Sequence, residues 1–397
     1  MSTVLLSVGD ASGDPYAAAL VRELSERRPG TRFVGLAGDA TREAGAELVV
    51  HQHSIAVGGL FELAGSLGGI ARSWRTMTRT IAQERPDLAI LIDTADFNIP
   101  LSRRLQRAGV PVLYYVLPQV WAWRRGRIRK IAARSQRRAV IFPFEVDEYR
   151  RDGVAVEYVG HPLVEALDGS RAAEAGSALR ERLDLSKGTP VLCLLPGSRR
   201  NELAYQLPLQ LEVARALRRR LPELCCVLPL APSLAPADVR VGLDRFAADA
   251  DAPPVSLVEG ATHAAIAACD VALAKPGTAT LETALLGRPL VVAGRGNPLS
   301  AAVLRRLIDV PAWAMPNLIA GEHVIPEFLQ EDAVPDRIAE ALAERCVDGP
   351  IRARQLEGLR RVGRLVRGCE MGETSQARSA TQRVGDIAEE LLGRVRA

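Results

Sequence analysis

The sequence predicts an α/β protein with two doubly wound domains, each built on a parallel sheet covered by helices on both faces. Its 397 residues exceed the roughly 150 expected of one domain. Short apolar runs alternate with longer segments of helical periodicity, which is typical of strand–helix units. Polar turns follow four of these runs, at the positions where ligands bind in such sheets.

Eight near-continuous apolar runs predict buried strands, because both faces of a parallel sheet are covered. They are 4–8, Leu88–Ile92, 112–116 and 139–142 in the first half, and Val191–Leu195, 226–230, Val271–Ala274 and 290–293 in the second. Turn residues around a charged helix place the domain linkage between them. The predicted domains are therefore 1–168 and 188–350, followed by a helical, Arg- and Glu-rich segment over 351–397.

Composition disfavours several classes of function. A net charge of +4 and an aromatic content of 4% disfavour a nucleic-acid-binding protein. The six cysteines form no C-x-x-C pair, which disfavours a zinc site and favours a reduced, cytoplasmic protein. The sequence has no signal-peptide pattern and no apolar run of 18 residues, so we expect any membrane contact to be peripheral.

In the first half, two strand ends carry polar turns. Residues 9–15 (GDASGDP) allow a tight turn, with Asp14 as the predicted N-cap of the following helix. The N-terminus of this helix could face a sugar or phosphate. Residues 93–98 (DTADFN) put two carboxylates and an amide at one strand end, and Asp93 is the candidate general base. The alternative in both places is an ordinary strand–helix turn.

In the second half, two strand ends suggest a nucleotide site. Residues 196–202 (PGSRRNE) combine Gly197, Ser198 and Arg199, whose N–H groups suit a diphosphate. Residues 275–282 (KPGTATLE) predict a helix capped by Thr278, with Glu282 one turn later to hold a ribose. The alternatives are a solvated arginine loop and an ordinary capped helix.

These four turns, together with 115–124 (YVLPQVWAWR), 142–145 (FPFE), 159–162 (VGHP) and 315–321 (MPNLIAG), resemble the lipid-A-disaccharide synthase family over nearly the whole chain. The resemblance implies a GT-B glycosyltransferase fold with the active site between the domains. It also implies inverting transfer of 2,3-diacylglucosamine from UDP to the 6-hydroxyl of 2,3-diacylglucosamine 1-phosphate. Neither a cofactor nor a metal is expected.

The resemblance also implies roles for individual residues. Asp93 would be the catalytic base. The UDP-sugar side, in the second domain, would comprise Gly197, Ser198, Arg199, Lys275, Gly277, Thr278, Glu282 and Asn317. The acceptor side, in the first domain, would comprise Asp10, Ser12, Asp14, Asn98, Trp123 and Arg124. The segment 351–397 would pack back on the first domain.

Peripheral contact with lipids on the cytoplasmic face of the inner membrane, and a homodimer, follow from the same resemblance. Seven apolar residues at helical spacing between 60 and 81, with arginines among them, suit either a membrane-surface helix or a core-facing one. His161 suits either a substrate contact or a satisfied turn histidine.

The chain departs from the family pattern at Lys275 and Pro276, where a small residue is usual, and at Leu117. Lys275 adds a charge that could assist phosphate binding. The competing functions are another GT-B enzyme of envelope synthesis that uses a UDP-sugar, and a catalytically silent paralogue that binds a UDP-sugar or lipid.

Overall fold

A computed structural model describes residues 2–55, 63–297, 310–368 and 378–394, with side chains described from Gly68 onward in the helix that begins at Leu63. The chain divides into two compact units. Unit 1 comprises Met1–Glu165 and Val366–Ala397, and unit 2 comprises Ala166–Leu365.

Unit 1 is built on a seven-stranded parallel sheet. Its strands are β1 (Thr3–Val8), β2 (Arg32–Ala37), β3 (Glu47–His51), β4 (Leu88–Ile92), β5 (Val112–Tyr115), β6 (Arg137–Val140) and β7 (Glu157–Tyr158). The spatial order is β3-β2-β1-β4-β5-β6-β7. Strand β1 lies beside β4, with Val4 opposite Leu88 and Val8 opposite Ile92. The central strands are fully buried, as the continuous apolar runs predict.

The helices of unit 1 cover this sheet. They are α1 (Asp14–Arg27), α2 (Asp39–Glu43), α3 (Leu63–Glu84), α4 (Ala95–Arg107), α5 (Ile128–Ala132), α6 (Pro143–Arg150) and α7 (Leu163–Ala166). Short 3₁₀ turns occupy Gln52–Ser54 and Arg125–Arg127.

Helix α3 buries its apolar face against unit 1. Met77 and Ile81 are buried, and the Trp74 ring meets Phe97 edge-on with the centroids 5.7 Å apart. Arg72, Arg75 and Arg79 on the same helix are exposed. The core-facing interpretation is therefore confirmed for this part of the helix. Leu60 and the side chains of Leu63 and Leu67 lie outside the described residues.

Unit 2 has a six-stranded parallel sheet. Its strands are β8 (Val191–Leu195), β9 (Cys225–Leu230), β10 (Val255–Glu259), β11 (Val271–Ala274), β12 (Leu290–Gly294) and β13 (Glu327–Leu329), in the spatial order β10-β9-β8-β11-β12-β13. Its helices are α8 (Gly169–Arg182), α9 (Arg200–Arg218), α10 (Ala237–Ala247), α11 (Thr262–Ala268), α12 (Thr278–Leu285), α13 (Met315–Ala320), α14 (Pro335–Cys346) and α15 (Pro350–Val366). Apolar clusters cover both faces of the sheet.

The C-terminal segment predicted over 351–397 divides between the units. Helix α15 belongs to unit 2 almost entirely, because Leu359 enters its core and the Gln355 side chain bonds both the N–H and the C=O of Leu290, at 3.1 and 2.9 Å. A final helix, α16 (Ala380–Arg394), belongs to unit 1. There Arg27 of α1 binds Asp386 of α16 at 2.6 Å.

In both sheets the strand order reverses direction at one point, between β1 and β4 in unit 1 and between β8 and β11 in unit 2. We call these the switch points of the two units. Ligands of doubly wound sheets bind at the carboxyl ends of the strands there, because the flanking loops diverge to opposite faces. Among the described helices, none has the length and apolarity needed to cross a bilayer.

Candidate active site

The switch point of unit 1 has an unusual backbone. Asp93, Thr94 and Val116 have φ values of 46°, 45° and 53°, in the left-handed region that non-glycine residues rarely enter. The Asp93 N–H donates to the Val116 carbonyl at 3.0 Å, which joins the ends of β4 and β5. A Cβ on Gly9 would lie 2.5 Å from the Thr94 side chain, so only glycine fits there. Strained backbone of this kind concentrates at functional sites.

Asn98 holds this turn together. Its amide nitrogen donates to the carbonyls of Ser7, Ile92 and Asp93 at 3.1, 3.0 and 3.0 Å, and its oxygen accepts from the Ser7 hydroxyl at 2.6 Å. The side chain is fully buried, and both its oxygen and its nitrogen are hydrogen-bonded within unit 1. Asn98 therefore holds the turn that carries Asp93, and its predicted contact with the acceptor stays a prediction.

Asp93 has the properties of a general base. Burial and, to a smaller extent, the negative charge of Asp10 raise the pKa of its carboxyl to about 6, against the opposing effect of the Thr94 N–H. Asp10 accepts a hydrogen bond from the Gly13 N–H at 3.2 Å and another from the Ser12 hydroxyl. Its second oxygen is buried without a hydrogen-bond partner among the described residues. This edge of the sheet therefore offers acceptors to a ligand that carries hydroxyl or amide hydrogens.

Asp14 is committed to the fold. The helix begins at Asp14 with Gly13 as its N-cap, so the predicted N-cap is displaced by one residue. The buried Asp14 carboxylate accepts from the N–H groups of Gly38, Ala40 and Thr41, at 2.8 to 3.3 Å, and thereby caps α2. These bonds give the Asp14 carboxylate a structural role, and its predicted contact with the acceptor stays a prediction.

The turn after β5 presents an exposed aromatic residue beside a cation. Trp123 is 45% exposed, and the Arg124 guanidinium lies 3.8 Å from the centroid of its ring. Arg124 also binds Asp96 at 3.2 Å. The pair forms an amphipathic surface that can meet both acyl carbons and a phosphate.

Sequence reasoning noticed the 142–145 motif and assigned no role to Glu145. This carboxyl is buried and accepts from the Trp121 indole N–H at 3.2 Å and the Phe142 N–H at 3.1 Å. Burial raises its pKa to about 8. Glu145 therefore fixes the first tryptophan of the 121–124 run and so orients Trp123 and Arg124.

His161 is satisfied within unit 1. Its Nδ1 accepts from the Leu163 N–H at 3.1 Å, and burial lowers its pKa to about 3, so the ring is neutral. This confirms the interpretation of a turn histidine.

At the switch point of unit 2, the turn after β8 passes through Gly197 at a φ of 123° into α9. Arg199 is 67% exposed on its side chain. A carboxylate that sequence reasoning missed lies over this turn: Glu202 accepts from the Ser198 N–H at 3.1 Å and lies 3.4 Å from the Lys275 ammonium. Lys275 itself donates to the Pro276 carbonyl at 2.9 Å.

The turn after β11 ends at Gly277, which has a φ of 149° and caps α12 without a side-chain hydrogen bond. Thr278 is therefore the first helical residue and not the predicted N-cap. Glu282 follows on the same helix. Burial raises the pKa of its carboxyl, and His263, whose Nε2 lies 3.9 Å from the carboxylate, opposes this shift only in part. His263 lies 19 residues before Glu282 along the chain, so no local pattern pointed to it.

Asn317 is also engaged within the protein. It is buried, donates to the Ile325 carbonyl at 2.8 Å and to Glu327 at 2.7 Å, and accepts from the Ile325 N–H at 2.8 Å. The amide thereby joins α13 to β13, and its predicted contact with a ligand stays a prediction. Within the described ranges, no group of three or more side chains suits a metal ion.

Comparison with known proteins gives a family for this geometry. The model of the lipid-A-disaccharide synthetase family matches residues 4–380. The lipid-A-disaccharide synthase of Geobacter sulfurreducens is 39% identical over 391 residues, which covers 98% of this chain and 97% of the relative. That of Myxococcus xanthus is 40% identical over 385 residues, covering 97% of each.

Solved structures agree on the fold alone, at low identity. MurG of Acinetobacter baumannii superposes with a TM-score of 0.60 at 13% identity, covering 98% of this chain and all of that one. UDP-GlcNAc 2-epimerase of Neisseria meningitidis, bound to UDP-GlcNAc, gives 0.55 at 11% identity over 99% of this chain and all of that one. The two parallel-sheet units thus form a GT-B fold.

Proposed function

The chain belongs to the lipid-A-disaccharide synthase family, and from this premise we propose that it joins two acylated glucosamines. It transfers 2,3-diacylglucosamine from UDP to the 6-hydroxyl of 2,3-diacylglucosamine 1-phosphate, with inversion, to give a β-1,6-linked disaccharide and UDP. The observation that carries the mechanism is the half-buried Asp93 carboxyl on its left-handed turn, with a pKa of about 6.

A hydroxyl is a weak nucleophile, so a base must remove its proton as it attacks. Above pH 6 Asp93 is mostly ionised and accepts the proton of the 6-hydroxyl. The oxygen bonds to the anomeric carbon from the face opposite UDP, and the sugar–phosphate bond breaks with its electron pair leaving on UDP. Asp10 and Ser12 bind the acceptor beside Asp93, while Trp123 and Arg124 bind its acyl chains and phosphate.

Unit 2 supplies donors for the growing charge on UDP. The backbone around Gly197 and Ser198, the Arg199 side chain and the uncapped start of α12 at Gly277 and Thr278 suit the diphosphate. Lys275 adds a cation beside them. Glu282 suits the ribose hydroxyls, since a buried carboxylate accepts hydrogen bonds from two neighbouring hydroxyls, and His263 orients it.

Both substrates carry acyl chains, so we propose that the protein meets the cytoplasmic face of the inner membrane peripherally. The exposed arginines at 72, 75 and 79 support contact with anionic headgroups. Flotation with phosphatidylglycerol vesicles, against neutral vesicles, tests the contact. A homodimer is proposed on the family resemblance alone, and sedimentation velocity tests it.

The first experiment is a transfer assay with the purified chain, both substrates and a chelator, following UDP release and disaccharide. Asp93→Asn should lower kcat by about 10²- to 10⁴-fold, the usual contribution of a general base, and leave UDP binding unchanged. Asp147→Asn is the matched control, because that aspartate is exposed on α6 and pairs with Arg150.

Each alternative function has its own outcome. UDP binding without product in the unmodified protein would indicate a silent paralogue or another substrate. If kcat falls only a few-fold in Asp93→Asn, Asp93 is not the general base. Loss of transfer in the chelator would contradict metal independence.

A further inference from the structure

The turn after β8 holds an internal anion at the position proposed for the diphosphate. We infer that the Glu202 carboxylate competes with the donor's diphosphate for the same cations and N–H groups, so that UDP must displace it to bind. The inference rests on the proposed UDP-sugar function of unit 2. It assigns Glu202 a role in setting the affinity for the donor and for the UDP product.

Three donors converge on this one carboxylate from two loops. The Ser198 N–H lies 3.1 Å from one oxygen, and the Lys275 ammonium lies 3.4 Å from the other. The Arg199 guanidinium lies 3.8 Å from that second oxygen. These are the donors proposed above to bind the diphosphate.

The carboxylate also fills the space above the turn. A Cβ on Gly197 would lie 2.4 Å from a Glu202 oxygen and 3.0 Å from the Lys275 side chain. The closest approach of a phosphate to the backbone at Gly197 is therefore blocked while Glu202 stays in place. Its side chain is 21% exposed, so a rotamer change can move the carboxylate toward solvent.

The contact with Glu202 suggests a role for Lys275, the residue that departs from the family pattern. The charge of Lys275 is matched by Glu202, whose carboxylate lies 3.4 Å from the ammonium. A diphosphate that displaces Glu202 would take over this cation. Binding of UDP then exchanges one anion for another, which weakens the net affinity and speeds release of the product.

A simpler role for Glu202 is a helix cap, since it occupies the third position of α9 and reaches back to a preceding N–H. Glu202→Gln separates the two roles. Glutamine keeps an oxygen that accepts from Ser198 and removes the charge that binds Lys275 and Arg199. A cap predicts unchanged affinity for UDP, whereas a competitor predicts tighter binding.

The test is isothermal titration calorimetry of the full chain with UDP and, separately, with uridine. Glu202→Gln should bind UDP about 5- to 10-fold more tightly, in the range of one charged contact, and uridine unchanged. The matched control is Glu212→Gln on the same helix, where the carboxylate lies 3.8 Å from Arg295, and it should leave both affinities unchanged. Thermal unfolding checks that each variant is folded.

A double-mutant cycle with Lys275→Ser adds a second readout. Lys275→Ser should weaken UDP binding less than 3-fold when Glu202 is present, and about 5-fold or more in the Glu202→Gln background. Equal effects in both backgrounds, or UDP affinity unchanged or weakened by Glu202→Gln, would overturn the inference. If neither the unmodified protein nor Glu202→Gln binds UDP, the proposed function itself fails.

Discussion

The two switch points share a topology and differ in charge. In unit 1 the strand ends present Asp10 and Asp93, and within the described residues no lysine or arginine forms an ion pair with either carboxylate. In unit 2 the same positions present Arg199 and Lys275, gathered around Glu202. The two sheets thus place polar groups at equivalent strand ends, and the residue types there support the proposed division into a base in unit 1 and a diphosphate site in unit 2.

Each unit also contains a buried asparagine, but the two lie in different places. Asn98 joins the end of β4 to α4 at the switch point of unit 1, whereas Asn317 joins α13 to the start of β13, an edge strand of unit 2. Each side chain uses both its oxygen and its nitrogen within the protein. The switch points of the two units therefore differ in their support as well as in their charge, and variants of their exposed groups should affect binding and proton transfer separately.

Arg199→Gln should separate donor binding from proton transfer most clearly. Removing this charged donor should raise KM for the UDP-sugar by about 10- to 100-fold, because a charge-assisted contact to phosphate contributes roughly 1.5–3 kcal/mol. The pH at which kcat/KM falls on the acid side should stay unchanged, since Asp93 is untouched. Steady-state kinetics from pH 5 to 8 measures both.

Arg200→Gln is the control for this variant. Arg200 adjoins Arg199 and is as exposed, yet its guanidinium binds Asp238 at 3.0 Å. If Arg200→Gln raises KM as much as Arg199→Gln does, general positive charge and not a placed donor is responsible.

A smaller effect, on stability, is expected in unit 1 from Glu145→Gln. Burial raises the folded-state pKa of Glu145 from 4.5 to about 8, so the folded protein holds a proton that the unfolded chain releases. The stability that depends on this proton is complete below about pH 4.5 and is lost as pH rises toward 8 and beyond. The loss for one proton is at most about 1.4 kcal/mol per pH unit.

The stability of Glu145→Gln should therefore fall less steeply than that of the unmodified protein between about pH 4.5 and 8. Its amide nitrogen cannot accept one of the two N–H bonds, which lowers its stability by the same amount at every pH. Glu148→Gln on the same helix is the control, because Glu148 already binds Arg125 and Arg151 as an ion pair. Parallel thermal midpoints for Glu145→Gln and the unmodified protein across this range would contradict the buried, protonated state.

The comparison also explains what the sequence could predict. All eight apolar runs overlap strands of the two sheets, because these inner strands bury most of their residues. The sequence did not predict the four edge strands, which are β3, β7, β10 and β13. They are half-buried, so no continuous apolar run marks them. Strand β2 was also not predicted, because it begins with an exposed arginine and contains Gly35.

Among the site residues, the strand-end position predicted Asp93 and Arg199 correctly as groups at the switch points. It could not separate side chains that face a ligand from those used inside the protein. Asp14 and Asn317 follow strand ends or lie in family motifs, yet their partners are backbone groups 24 and 8 residues away. Glu202 was within the predicted loop, and only the positions of Ser198 and Lys275 reveal its contacts.

The smallest and most specific effect is expected from Asp10→Asn. After burial, the negative charge of Asp10 is the cause that raises the pKa of Asp93, so removing it lowers that pKa from about 6. The acid limb of the kcat/KM profile should then move to lower pH by less than about one unit, a few-fold gain in relative activity at pH 5. Ser12→Ala perturbs the hydrogen bond to Asp10 without changing charge and should leave the limb in place. A limb that stays fixed in Asp10→Asn, or moves to higher pH, would mean that another group limits the rate in acid and that the acidic character of unit 1 does not tune its base.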